Sequence, residues 1–124
     1  MHAEHAEVSV LHIDLIASAN LQPHRLVTQS GEYPAPGGLA FGITRTAMAE
    51  RELGPVDVYA FTKAEAGAAF SKDVPLMAGA DGTVVAHDGD GSNFPIGRSM
   101  SDAQAGEVVP VWLIPCVGLP VNAA

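Results

Sequence analysis

The side chains of this 124-residue chain that could do chemistry are five histidines, fourteen carboxylates, six basic residues and one cysteine. Spacing decides what they can do. Asp88-Gly89-Asp90-Gly91-Ser92-Asn93 sets side-chain oxygens at alternate positions, as calcium loops do. An EF-hand loop also needs a Glu at its twelfth position, and counting from Asp88 that position is Ser99. Its flanks read as strands rather than helices, so the segment is expected to be a solvated turn. His2 and His5 lie three apart, a spacing that lets two imidazoles share a metal on a helix. No Cys or further carboxylate is tied to them, and no metal site is assigned.

Nucleophilic catalysis needs a nucleophile, a base and an orienting group. His87-Asp88 beside a serine supplies the residue types, but there is no Gly-x-Ser-x-Gly elbow and no Cys–His signature. Gly37-Gly38-Leu39-Ala40-Phe41-Gly42 lacks the Gly-x-Gly-x-x-Gly spacing, and no phosphate-loop Lys follows it. It reads as the entry to a strand. Glu50 and Glu52 read as solvated loop carboxylates. Cys116, within Trp-Leu-Ile-Pro-Cys, reads as a buried structural thiol. No catalytic residue and no cofactor are assigned, and the chain is read as a non-enzyme.

The elements that would position these groups are short. The length is that of one domain. With 48% hydrophobic and only 6% aromatic residues, the core must be built from Val, Leu, Ile and Ala. Thirteen Gly and nine Pro favour turns over long helices. The net charge is −8, and Arg25, Arg45, Arg51, Lys63, Lys72 and Arg98 are scattered. That excludes the clustered positive charge by which nucleic acids and anionic membranes are bound. A single cysteine gives no intramolecular disulfide. No apolar run approaches the roughly 18 residues of a membrane span, and the acidic start MHAEHAEVSV is not a secretory signal.

Val8–Ile16 half-alternates and is expected to form an extended strand or arm. Further strands are expected at 24–29, 39–44, 54–61, 83–87, 94–98 and 108–114, with a short apolar piece at 74–77. Turns are expected at Ala80-Asp81-Gly82 and 88–93. Ala-rich 63–70 is the best helix candidate. Trp112, within an apolar strand, is expected in the core. Residues 39–61 and 94–116 nearly repeat at a spacing of 55: Gly42 falls on Gly97, Glu52 on Glu107, Pro55 on Pro110 and Val56 on Val111. Two related hairpin units in an all-β barrel or sandwich, mainly β with one short helix, follow.

The order of motifs resembles the small capsid decoration, or cement, proteins of tailed bacteriophages. The closing unit carries Gly97, Ala103, Ala105, Gly106, Glu107, Val109, Val111 and Leu113. The middle unit matches at Val74, Leu76, Asp81 and Gly82, and the first departs where Arg51 replaces a Gly before Glu52. The resemblance spans roughly Leu21 to Pro115. It implies a compact β-barrel or tulip-like domain at 21–116, an N-terminal arm at 1–20 and a tail at 117–124. It also implies a virion protein, made in the host cytoplasm, that binds the outer surface of the major capsid protein lattice as a trimer and stabilises the expanded shell. The implied capsid or subunit interface is Val8, Val10, Leu11, Ile13, Leu15, His24 and Arg25. The alternative is a small β-barrel carrier or ligand-binding accessory domain, with Lys63 or Lys72 as the modified residue.

Overall fold

The structure, a computed structural model, describes residues 9–114. Its strands are β1 (Ser9–Ile16), β2 (Leu26–Val27), β3 (Gly42–Thr44), β4 (Leu53–Glu65), β5 (Pro75–Ala78), β6 (Val84–Ala86), β7 (Gly97–Ser99) and β8 (Val108–Leu113). All strand ladders are antiparallel and run in the order β2-β3-β4-β8-β7-β5-β6, with β1 also on β4. The path then closes on itself. Ala66, just past β4, forms a parallel bridge with Val84 of β6, and the Gly67 amide donates to the Val84 carbonyl at 2.8 Å. The chain is therefore all-β and barrel-like. Its main core holds Leu26, Ile43, Leu76, Val84, Ile96, Val111 and Leu113, all essentially inaccessible. Each such side chain contributes about 1.5–3 kcal/mol by leaving water.

β4 is the organising element. Ala60 has Ser9 as register partner on one edge and Leu113 on the other. Val56 and Asp57 likewise pair with β1 on one edge and β3 on the other. The first half of β4 therefore closes a unit with β1, β2 and β3. Its second half opens a unit with β5, β7 and β8.

Many hydrogen bonds of the first unit recur atom for atom in the second. The Ala17 amide donates to Glu52 O at 2.9 Å, and Ala66 donates to Glu107 O at 2.8 Å. Thr44 Oγ1 donates to Gln22 O and accepts from the Arg25 amide, while Ser99 Oγ donates to Ser71 O and accepts from the Val74 amide. His24 and Asp73 both adopt left-handed backbone, φ 63° and 65°. The later strands correspond at 55 residues and the earlier ones at 49. The difference lies between Val27 and Phe41 in the first unit and between Leu76 and Ile96 in the second, where β6 and the 3-10 turn Ala80–Gly82 are inserted. A smaller core of Ala17, Leu21, Val27, Met48 and Val56 belongs to the first unit.

The Ala-rich 63–70 segment is not a helix. Lys63, Ala64 and Glu65 continue β4 opposite Pro110, Val109 and Val108, and Phe70 bridges Ala103. Ala64 and Ala66 are fully buried while Lys63 is exposed, a period-two pattern that tertiary packing imposes over helix propensity. The only helical element among the described residues is the three-residue turn Ala80–Gly82, where Asp81 and Gly82 have φ of 54° and 75°.

Candidate interaction surface

β8 alternates cleanly. Val109, Val111 and Leu113 point into the barrel, so Trp112 points out. Its expected core position is thus corrected: Trp112 is 41% exposed, and it pairs with Phe61 of β4, the ring centroids 5.9 Å apart. Two residues along each strand, Tyr59 and Ile114 are 46% and 42% exposed. Leu11 of β1 is the register partner of Tyr59, and Arg98 of β7 is that of Trp112, its Nε donating to Asp73 Oδ1 at 2.8 Å. An apolar band therefore crosses β4 and β8 on the outside of the sheet. Ile16 and Leu53, register partners near the start of β4, form a second exposed apolar pair.

The residues expected at an interface fall in different places. Leu11 and Ile13 are exposed on β1, and Leu15 is half-buried against the first unit's core. Val8 lies outside the described residues; Val10 lies within β1. His24 is half-buried at a left-handed turn, its amide donating to Thr44 O. The charge of Arg25 is engaged within the domain. Its Nη2 donates to Glu65 Oε1 at 3.1 Å and its Nη1 to Asp81 O at 2.9 Å, and the guanidinium lies 6.0 Å from the Tyr33 ring centroid.

A buried carboxylate sits where the two units meet. Asp57 Oδ1 accepts from Arg45 Nε and Oδ2 accepts from Thr62 Oγ1, both at 2.6 Å. Nothing in the sequence pattern marks it, because Asp57 occupies an outward slot in the alternation and a register shift in the β1–β4 ladder lies beside it. The 88–93 turn is closed by its own side chains: Asp88 accepts from the Asp90 amide and the Asn93 side chain, Asp90 from the Ser92 amide and hydroxyl. These bonds favour the ionised carboxylates and hold both below their ordinary value. His87 Nδ1 accepts from the Gly89 amide. Among the described residues, no three His, Cys, Asp or Glu side chains converge to hold a metal. His2, His5 and Cys116 lie outside the described residues. Lys63 stands within β4 and Lys72 in the turn before β5, its amide on Asp102 Oδ1.

Comparison with known proteins gives this surface its context. The family model described as phage cement protein matches residues 7–114, nearly the whole chain. The chain belongs to the phage cement protein family. This cement protein is thus of a structural class, consistent with an architecture made of ladders and turns. Its fold is similar to the N base of the head fiber protein gp8.5 of bacteriophage phi29, with a TM-score of 0.68 and 22% identity over 84% of this chain and 93% of that one. No curated protein sequence matches the chain.

Proposed function

We propose that this cement protein works without catalysis on the outer surface of a phage capsid, binding the lattice of the major capsid protein and stabilising the expanded shell as a homotrimer. Family membership gives the setting. The structural observation that supports the contact is β1, which from His12 to Ile16 forms an edge among the described strands and presents Ile13 and Ile16 outward. Such a strand can be extended by an added strand from a lattice subunit, with backbone hydrogen bonds giving affinity and side chains giving register. In this reading the first 20 residues act as an arm on a body at 21–116. Three arms on one trimer bind together, so modest single contacts multiply through effective concentration. The net charge of −8 favours a basic lattice face.

Electron cryomicroscopy of expanded capsids incubated with the protein tests the reading. Ordered trimeric density on the outer surface is expected. Bare capsids at saturating protein contradict it, and light scattering of the free protein tests the trimer separately.

A further inference from the structure

We propose that the outward apolar band of one copy seats the exposed Ile16–Leu53 pair of a second copy, so that copies join head to tail. The inference rests on the trimer reading above and names the two faces that build it. The first face is the band of Tyr59, Phe61, Trp112 and Ile114, organised around the paired Phe61 and Trp112 rings. The second is Ile16 with its register partner Leu53. At 60% and 59% they are the most exposed large apolar side chains among the described residues. Contiguous exposed apolar surface of this kind marks a protein contact, and aromatic residues are enriched in such contacts.

Charge decides which partner fits. Lys63 is exposed two residues beyond Phe61 on β4, and Arg98 is the register partner of Trp112. Two of the chain's six basic residues therefore flank the band. Arg98 is bound to Asp73 at 2.8 Å in an ion pair that stays open to solvent. The second face is acidic. Within three residues of Ile16 or Leu53, Asp14, Glu50 and Glu52 are all exposed, against a single cation, Arg51. Copies of a chain with net charge −8 repel one another unless unlike faces are matched, and these two faces match them.

Their placement makes the contact intermolecular. Leu53 and Phe61 are eight residues apart on one strand, about 26 Å, so the two faces do not meet within a chain. A contact between unlike faces leaves one face of each kind unused until a ring closes. The lattice contact of β1 uses the backbone groups of its outer edge, in the plane of the sheet. The side chains of Ile16 and Leu53 stand off that plane, so one copy makes both contacts.

Analytical ultracentrifugation of three proteins tests the pairing: the wild-type chain, Trp112→Asp, which breaks the band, and Leu53→Asp, which breaks the other face. Neither substitution lies on β1. Far-ultraviolet circular dichroism identifies folded samples, and Tyr59→Asp stands in should Trp112→Asp fail to fold. The wild type is expected at three times the single-chain mass, and each variant alone at the single-chain mass. An equal mixture of the two variants is expected at twice that mass. The intact band of Leu53→Asp seats the intact pair of Trp112→Asp, and the chain of contacts stops there. A wild type at the single-chain mass overturns the trimer reading and this inference together. With a trimeric wild type, a variant that associates by itself overturns this inference alone. So does a mixture that stays at the single-chain mass.

Discussion

Arg51 and Gly106 hold the same left-handed backbone, φ 73° and 88°, at corresponding turns of the two units. In each turn the next residue's carboxylate accepts from the amide three positions before it: Glu52 from Ala49 at 2.7 Å, Glu107 from Gln104 at 2.8 Å. A side chain in this region costs about 1–2 kcal/mol, which Gly106 avoids and Arg51 does not. Arg51→Gly is expected to stabilise the protein by about 1 kcal/mol after the entropy of the unfolded glycine is counted. Gly106→Ala is expected to cost about as much through strain alone, because a Cβ there meets nothing within 4 Å. Chemical denaturation of the two variants checks both signs; a destabilised Arg51→Gly would contradict the account.

The repeated glycines Gly42 and Gly97 answer to a different constraint. A Cβ on Gly42 would collide with the carbonyl of Asp57, and one on Gly97 with the carbonyl of Trp112. Both obstacles are strand backbone, which cannot rotate away. Gly42→Ala and Gly97→Ala are each expected to cost about 3 kcal/mol, the upper end for overpacking. Thermal unfolding would show it, and near-wild-type stability in either variant would be inconsistent with the close strand approach.

These positions show what a linear reading can reach. Gly42 and Gly97, Glu52 and Glu107, Pro55 and Pro110 are visible as a spacing of 55 because their roles are local to one turn and one strand pair. The earlier correspondences fall at a spacing of 49: Ala17 with Ala66 keeps a buried alanine, whereas His24 with Asp73 is shared only as backbone geometry. Insertion of β6 breaks the single spacing, so no one alignment displays both halves. The 63–70 segment was misleading because alanine is both the best helix former and the residue that fits a crowded barrel interior, and only the β8 ladder decides between them. Trp112 misled for a related reason: in β8, Val108 to Leu113, nearly every position is apolar, so hydrophobicity alone does not tell inside from outside.

Asp57 should be among the most sensitive polar positions. Its carboxylate is buried and holds both Arg45 and Thr62, while the Arg45 side chain is 40% exposed. Arg45→Ala leaves a buried charge with one partner and is expected to cost about 3 kcal/mol. Asp57→Asn leaves an Arg that water can reach and is expected to cost about half as much. The double variant should be more stable than the sum of the single losses predicts, and a strictly additive cycle would argue against the coupling.

The 88–93 turn has an acid limit. Asp88 and Asp90 lie below the ordinary 3.8 in the folded chain because of hydrogen bonds to their ionised forms. Their contribution is therefore fully present above 3.8 and is lost as pH falls through the lowered folded values. In an NMR titration the Asp90 and Ser92 amides should move with a midpoint below 3.8. Movement centred above that value would contradict the arrangement.

Co-sedimentation of the purified protein with expanded, undecorated phage capsids tests the central claim most directly. The account predicts saturable binding of the wild-type chain, and weaker binding by a folded Ile13→Lys, Ile16→Lys variant that puts charge on the exposed β1 edge. Wild-type protein that stays in the supernatant at every concentration, or a variant that binds as tightly as wild type, would contradict it.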